Sequence, residues 1–381
     1  MAARWLECRA ASTVQAHRPL ALGGQRLTAM APFDAISSQA PGRICPPEYG
    51  YSPRVFARPA ELFGDTLYVV GGLYGNVCAL PAIDALVARD ADSPLIVFNG
   101  DFHWFDIEPE LFVQIQQRVA HGANTIALRG NVETEIAGSD CAAGCGCAYP
   151  ESVPDDDVAR SNEILARLRA TARAVALDRA DARPSLASLP MHVVAQIGDT
   201  RIAIVHGDAW SLAGWRFAHD QLHDDRHDPR LASAFAQGAV VGYACSHTCL
   251  PALKYFEPDA AGGGELVRGH ANECFVINNG AAGMPNFADL PFGLLTRISV
   301  RALPTAIAGE RIYGLTVAGL YVDALAIRYD AAAWQERFVS MWPEGSAAHR
   351  SYFARLQRGP DYSMAQALGH VDRSACATAL T

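Results

Sequence analysis

Four short apolar segments of the chain each end in a residue whose side chain binds metal ions in proteins. The four residues are Asp101, Asn131, His206 and His247. A carboxylate, an amide oxygen and two imidazoles form a mixed nitrogen and oxygen donor set, which suits Mn, Fe, Co or Zn rather than Ca. Gly-Asp and Gly-Asn pairs alone are common in turns. Four such residues in order, each after an apolar run, predict one metal site.

The elements that must bring these residues together have the pattern of an α/β fold. Apolar runs predict strands at 67–70, 94–98 and 125–128, and helical periodicity predicts helices at 76–89 and 108–121. This alternation implies a parallel sheet, whose strands present their carboxyl ends at one edge. Further strands are predicted at 192–196, 201–205, 240–244, 273–278, 293–300, 312–317 and 320–327.

Composition restricts the class of protein. The net charge of -9 argues against a nucleic-acid backbone as the main partner. The chain has no run of eighteen apolar residues and no apolar signal segment, so we expect neither a membrane span nor secretion. Ten cysteines in 381 residues do not indicate a disulfide scaffold, which leaves a reduced, cytoplasmic setting as the expectation.

The sequence divides into three parts. Residues 1–44 lack a sustained period and are predicted to be weakly structured. Residues 45–330 carry all the site motifs and form the predicted domain, with a cysteine-containing insertion at about 133–190. Residues 331–381 are predicted as a helical tail packed on that domain.

The order of the motifs resembles that of the calcineurin-like metallophosphoesterase superfamily over about residues 65–300. The matching segments are 72–76, 100–101, 130–133, 206–207 and 246–251. The resemblance implies an α/β sandwich of two mixed β-sheets flanked by helices, which binds two metal ions. It also implies a small-molecule phosphoester as the substrate. The ligands of one ion correspond to Asp101, Asn131, His206 and His247, all of which are present.

The second metal site of that family departs from its pattern here. Its ligands correspond to Gly72, Tyr74 and Cys249, and the family's catalytic histidine corresponds to Val132. Gly72 has no side chain to offer and Val132 cannot donate a proton. Phenolate and thiolate both bind metals, so Tyr74 and Cys249 are either substitute ligands or residues that fill the space. We therefore expect one ion, of Mn, Fe or Zn, and leave the second open.

Two nearby side chains are candidates for other roles. His103 follows Asp101 by two residues and is either a substitute ligand, a general acid or a wall of the pocket. Arg129 precedes the Gly130-Asn131 turn and is predicted either to contact a substrate anion or to form a salt bridge.

Two clusters outside these motifs also carry metal-binding residue types. Cys141, Cys145 and Cys147 are either incidental thiols in a glycine-rich loop or a zinc or disulfide clip near the site. His219, His223 and His227 recur every four residues among aspartates, which favours a solvated polar face over a metal site.

Three functions follow from the sequence. The first is a metal-dependent hydrolase of a phosphoester, either a phosphatase or a phosphodiesterase, with a mononuclear or altered binuclear site. The second is a redox-active mononuclear metal protein with tyrosine and cysteine ligands. The third is a non-catalytic binding module, since a fold alone does not fix a function.

Overall fold

The apolar runs of the sequence form the strands of two sheets. The structure is a computed structural model that describes residues 40–90, 93–122, 124–139, 142–178, 186–222, 228–256 and 273–369. The strands are β1 Leu62–Gly64, β2 Thr66–Val70, β3 Leu95–Asn99, β4 Thr125–Leu128, β5 His192–Ile197, β6 Thr200–Val205, β7 Gly242–Cys245, β8 Pro251–Phe256, β9 Cys274–Asn279, β10 Gly293–Ser299, β11 Arg311–Val317 and β12 Leu320–Ile327.

Eight α-helices accompany these strands in the described part of the chain. They are α1 Ala79–Val87, α2 Pro109–Ala120, α3 Asn131–Ala137, α4 Asp155–Asp178, α5 Pro229–Gly238, α6 Ala331–Met341, α7 Ala347–Arg358 and α8 Met364–Leu368. No helix among the described residues is long and apolar enough to cross a membrane.

Each sheet has six strands and mixes parallel with antiparallel pairs. One sheet has the order β11-β12-β10-β2-β3-β4, in which β2, β3 and β4 are parallel neighbours. The other has the order β1-β5-β6-β7-β9-β8, in which β6, β7 and β9 are parallel. The predicted α/β sandwich of two mixed sheets is therefore confirmed.

The central strands are buried on both faces, because one face meets the other sheet and the opposite face meets helices. In β2 and β3, Val69 and Val97 belong to the cluster that Ile204 and Ile277 of the second sheet share. The alternate residue Phe98 packs in a second cluster with α1 and α2. This double burial explains why these strands appear in the sequence as continuous apolar runs.

The strands β1 and β8 and the helix α5 were not predicted from the sequence, and two further differences lie in the segments of the site motifs. The first helix begins at Ala79 rather than at Asn76, whose side-chain oxygen accepts the N–H of Cys78 while its amide donates to the carbonyl of Gly283. A short helix, α3, begins at Asn131 inside a site motif, where the sequence offers no separate periodic segment.

The chain after β12 forms helices that reach the core beside the site. Trp334, Phe338 and Trp342 are buried in the cluster that contains Phe105. The indole N–H of Trp342 donates to the carbonyl of Phe105 at 2.8 Å. The packing of α6 and α7 is thus tied to the loop that follows β3.

Candidate metal centre

The carboxyl ends of β3 and β4 approach each other closely because glycines precede the site residues. A Cβ on Gly100 would lie 2.5 Å from the backbone nitrogen of Gly130 and 2.7 Å from Nδ1 of His206. Gly100 also has φ +74°, which side chains disfavour. Asp101 follows with φ 50°, and its Oδ1 accepts the N–H of Val132 at 3.2 Å. The turn thereby directs the other carboxylate oxygen toward the site.

Four donor atoms meet at the tips of β3, β4, β6 and β7. Nε2 of His206 lies 3.3 Å from Oδ2 of Asp101 and 3.2 Å from Oδ1 of Asn131. Nδ1 of His247 is also 3.2 Å from that nitrogen. Metal–nitrogen bonds of about 2.1 Å in tetrahedral or octahedral geometry place neighbouring ligands about 3.0–3.4 Å apart. The three printed distances match this spacing, and the donor atoms of Asp101, His206 and His247 all lie within 4.8 Å of one another, so the group is the right size for one transition-metal ion.

The hydrogen bonds around the donors determine which lone pairs face inward. Nδ1 of His206 donates to the carbonyl of Asn99 at 2.9 Å, which leaves Nε2 as the free lone pair. Nε2 of His247 donates to the carbonyl of Cys147 at 3.2 Å, which leaves Nδ1 free. The amide of Asn131 donates to the carbonyl of Cys145 at 3.0 Å, so its oxygen faces the histidines. Four acceptor groups face one another, and their repulsion is relieved either by a metal ion or by a proton on Nε2 of His206.

The pKa values of His206 and His247 shift in opposite directions at this site. Burial lowers the pKa of His206, but the neighbouring Asp101 carboxylate outweighs burial and raises that pKa above its ordinary value. Burial and the adjacent His206 lower the pKa of His247 to about 3. His247 is therefore neutral, as a ligand must be, and one positive charge is favoured at the position of the His206 Nε2.

A second buried carboxylate, Glu133 in the first turn of α3, lies directly behind the site. Its Oε2 accepts the N–H groups of Asp101 and Gly130, each at 2.8 Å. Its Oε1 accepts the N–H of His103 at 3.3 Å. Burial and the Asp101 charge raise the pKa of Glu133. Two carboxylates this close in the interior add to the requirement for a cation.

Side-chain atoms fill the space beside Gly72, where the motif resemblance led us to leave a second metal open. A Cβ on Gly72 would lie 2.6 Å from Cε2 of Tyr74, so the phenol ring occupies the space of a side chain at 72. The Tyr74 hydroxyl contacts Sγ of Cys249 at 2.7 Å. Tyr74 and Cys249 both have left-handed backbones, with φ 53° and 59°. Burial raises the pKa of each, so in the absence of an ion both groups are protonated and form a hydrogen-bonded pair.

The two other candidate side chains are engaged elsewhere. His103 stacks on Phe112 of α2, with ring centroids 3.8 Å apart, and its Nδ1 bonds Oδ2 of Asp106 at 2.5 Å. It does not belong to the group of close donors formed by Asp101, His206 and His247. Arg129 donates from Nη1 to the carbonyl of Ala187 at 2.8 Å, so it fastens a neighbouring loop.

The cysteine and histidine clusters are only partly described. Cys145 and Cys147 are buried free thiols, so no disulfide joins them, and Cys141 lies outside the described residues. Their backbone carbonyls accept hydrogen bonds from Asn131 and His247, and Sγ of Cys147 also accepts from the Asn131 amide at 3.5 Å. His219 packs against Tyr362 at a centroid distance of 4.7 Å, and His223 and His227 lie outside the described residues.

Several residues that shape the site were not identified from the sequence. They are Asn99, Glu133 and Arg355. Cys145 and Cys147 were predicted to lie near the site, but not to orient its ligands through their carbonyls. Glu133 is the last residue of the 130–133 motif. Its position near a possible helix start was the one sequence signal that could have identified its role. The others act through backbone carbonyls or from a distant helix, contacts that residue spacing does not encode.

No protein-family model and no curated protein sequence matches the chain. Among solved structures, a hypothetical protein from Pyrococcus horikoshii OT3 is 17% identical, aligning over 78% of this chain and 99% of its own, with a TM-score of 0.48. A metallophosphoesterase from Sphaerobacter thermophilus is 18% identical over 78% and 99%, with a TM-score of 0.44. A predicted phosphoesterase from Streptococcus pneumoniae TIGR4 is 13% identical over 70% and 91%, with a TM-score of 0.31. One fold hosts many reactions, so the side chains of the site decide the chemistry.

Proposed function

We propose that the protein is a metal-dependent phosphoesterase with a mononuclear site, a divergent relative of the calcineurin-like metallophosphoesterases. The observation that carries this proposal is the convergence of four lone pairs on one point, from Asp101, Asn131, His206 and His247. The same donor types recur in the motifs that resemble that superfamily. We assign the ion to Mn, Fe or Zn on the basis of the mixed nitrogen and oxygen donors.

The chain's own residues prepare this site for hydrolysis. A bound metal would supply Lewis acidity, polarising a phosphoryl oxygen and lowering the pKa of water. Asp101 and the neutral His247 would hold the ion, and Glu133 fixes the turn that carries Asp101. The indole of Trp215 lies edge-on to His247 at 5.4 Å and helps exclude bulk water. A dry site strengthens the electrostatic stabilisation of a charged transition state.

The redox alternative would use Tyr74 and Cys249 as ligands. Both must then lose their protons, yet both are buried and their pKa values are raised. The two atoms also contact each other at 2.7 Å, closer than two ligands of one ion lie, which favours hydrolysis over redox chemistry. A visible absorption band from phenolate or thiolate charge transfer in the purified protein would reverse that preference.

Hydrolysis of nitrophenyl phosphate and of a bis-nitrophenyl phosphate, with added Mn²⁺, tests the proposal. We expect turnover of at least one ester that disappears on chelation and in the His206→Gln variant. His349→Gln is a matched control, because His349 stacks on Phe353 in α7 and contacts none of the four donors. A folded, metal-loaded protein that hydrolyses neither ester would instead support the binding-module alternative.

A further inference from the structure

A guanidinium group from the C-terminal part of the chain reaches the loops beside the metal site. Arg355, in the third turn of α7, donates from Nη2 to the carbonyl of Cys249 at 2.7 Å. Its Nε donates to the carbonyl of Pro285 at 3.1 Å. Cys249 follows the metal ligand His247 by two residues. Arg355 therefore lies next to the segment that carries this ligand.

The second loop that Arg355 contacts also borders the filled metal position. In the segment before Pro285, the N–H groups of Ala282 and Gly283 donate to the carbonyls of Gly71 and Gly72, at 2.9 and 3.0 Å. The guanidinium thus joins the two segments, around Gly72 and Cys249, that supply second-metal ligands in the family that the sequence resembles.

The charge of Arg355 is not neutralised by a partner in the described residues. Both of its hydrogen-bond acceptors are neutral carbonyls, and no described carboxylate forms an ion pair with it. Its charge opposes the effect of burial on the pKa of both Tyr74 and Cys249, which places it within electrostatic reach of that pair. The residue is half-buried, and its two hydrogen bonds use Nε and Nη2, which leaves the N–H groups of Nη1 as further donors.

A site with one metal has a charge deficit when it binds a phosphate group. In two-metal hydrolysis, the second ion stabilises one of the two oxygens of the displacement. Here Tyr74 and Cys249 fill that position with neutral groups. A guanidinium binds phosphate oxygens through several N–H donors at once and does not lose its proton, so it can supply the missing positive charge.

We propose that Arg355 binds the phosphate group of the substrate and replaces the charge of the absent second metal, which selects a phosphomonoester dianion over a diester. This inference rests on the proposed function of the same site. It assigns a substrate-binding role to α7, a helix outside the segment that resembles the metallophosphoesterases.

Titration of inorganic phosphate into the Mn²⁺-loaded full chain by calorimetry tests the role of Arg355 without requiring turnover. We expect Arg355→Gln to weaken phosphate binding about tenfold or more, in line with the loss of a charged hydrogen bond. Arg358→Gln is the matched control, since Arg358 is exposed in the same helix, and it should bind phosphate like the wild type. Metal content and the urea midpoint are measured on each variant.

Phosphate affinity within twofold of wild type in a folded, metal-loaded Arg355→Gln variant would overturn the inference. So would a wild-type protein that binds the metal but no phosphate. If Arg355→Gln does not fold, Arg355→Lys decides, because lysine keeps the charge but loses the planar fork of donors. We expect Arg355→Lys to bind phosphate several-fold more weakly than wild type, and unchanged affinity counts against the proposal.

Kinetics separate this inference from the proposed function. In a hydrolytically active protein, Arg355→Gln should raise the KM for nitrophenyl phosphate more than the KM for the diester. In another outcome, the wild type hydrolyses neither ester while Arg355→Gln still weakens phosphate binding. That result contradicts the proposed hydrolase function but supports phosphate binding by Arg355. Equal changes in KM for both esters contradict the assignment of a monoester.

Discussion

The imidazole of His206 contacts three other donors through a single nitrogen, at 3.2 to 3.3 Å. Replacing His206 should therefore weaken metal binding more than replacing any one of the other three donor residues. We expect His206→Gln to weaken Mn²⁺ binding by more than about 100-fold, beyond the usual cost of losing an outer contact. Calorimetric titration of Mn²⁺ measures this, and His349→Gln should retain wild-type affinity.

The filled position around Gly72 can be tested by restoring the family's ligand types. In the variant Gly72→Asp, Tyr74→His, Cys249→His, the ring that meets a Cβ at position 72 is removed. Asp also tolerates the left-handed backbone of Gly72 better than most residues do. We expect this variant to bind a second ion, measured as metal per chain. A folded triple variant that still binds one ion would show that Tyr74 does not block the position.

The first turn of α3 depends on one carboxylate that accepts three backbone N–H groups. In Glu133→Gln, the amide nitrogen would face at least one of these N–H donors, which would then lose its acceptor. We expect a loss of about 2–3 kcal/mol in the free energy of unfolding, the usual cost of a buried unsatisfied donor. Urea denaturation of the metal-free protein measures it. Glu151→Gln, at an exposed position, is the control.

His192, the first residue of β5, makes the free energy of unfolding depend on pH. His192 packs between the rings of Tyr51 and Phe56, and Nη2 of Arg58 lies 3.1 Å from its Nδ1. Burial and the Arg58 charge lower its pKa from 6.5 to about 4. Between these values the unfolded chain binds the extra proton, so stability falls as the pH is lowered.

Replacement of His192 tests this pH dependence. We expect His192→Gln to lose less stability than the wild type between pH 6.5 and 4, as measured by urea midpoints at each pH. A parallel fall in the two proteins would show that His192 does not contribute.

Most strands and most helices were accessible from the sequence, because burial on both faces leaves continuous apolar runs such as that of β3. The start of α1 was not, since Asn76 uses its amide for a tertiary contact with Gly283. Likewise, the motifs identified which residues approach the metal position. The carbonyls of Cys145 and Cys147, which orient two of these residues, come from an insertion whose path the spacing does not encode.

The C-terminal helices contribute to the whole fold through Trp342. Its ring is fully buried, its N–H donates to the carbonyl of Phe105, and the Arg167 guanidinium lies 4.2 Å from the ring. We expect Trp342→Ala to lower the free energy of unfolding by about 3–5 kcal/mol, because the cavity and the unpaired carbonyl both cost energy. Chemical denaturation measures the change. Val339→Ala, at a more exposed position in α6, should cost far less.

Elemental analysis of the wild-type chain, purified without added metal and then after loading with Mn²⁺, addresses the site most directly. With Asp101, Asn131, His206 and His247 facing a single point, and Tyr74 occupying the adjacent position, the expected result is one transition-metal ion per chain. Two ions per chain, or none after loading of a folded protein, would contradict this account.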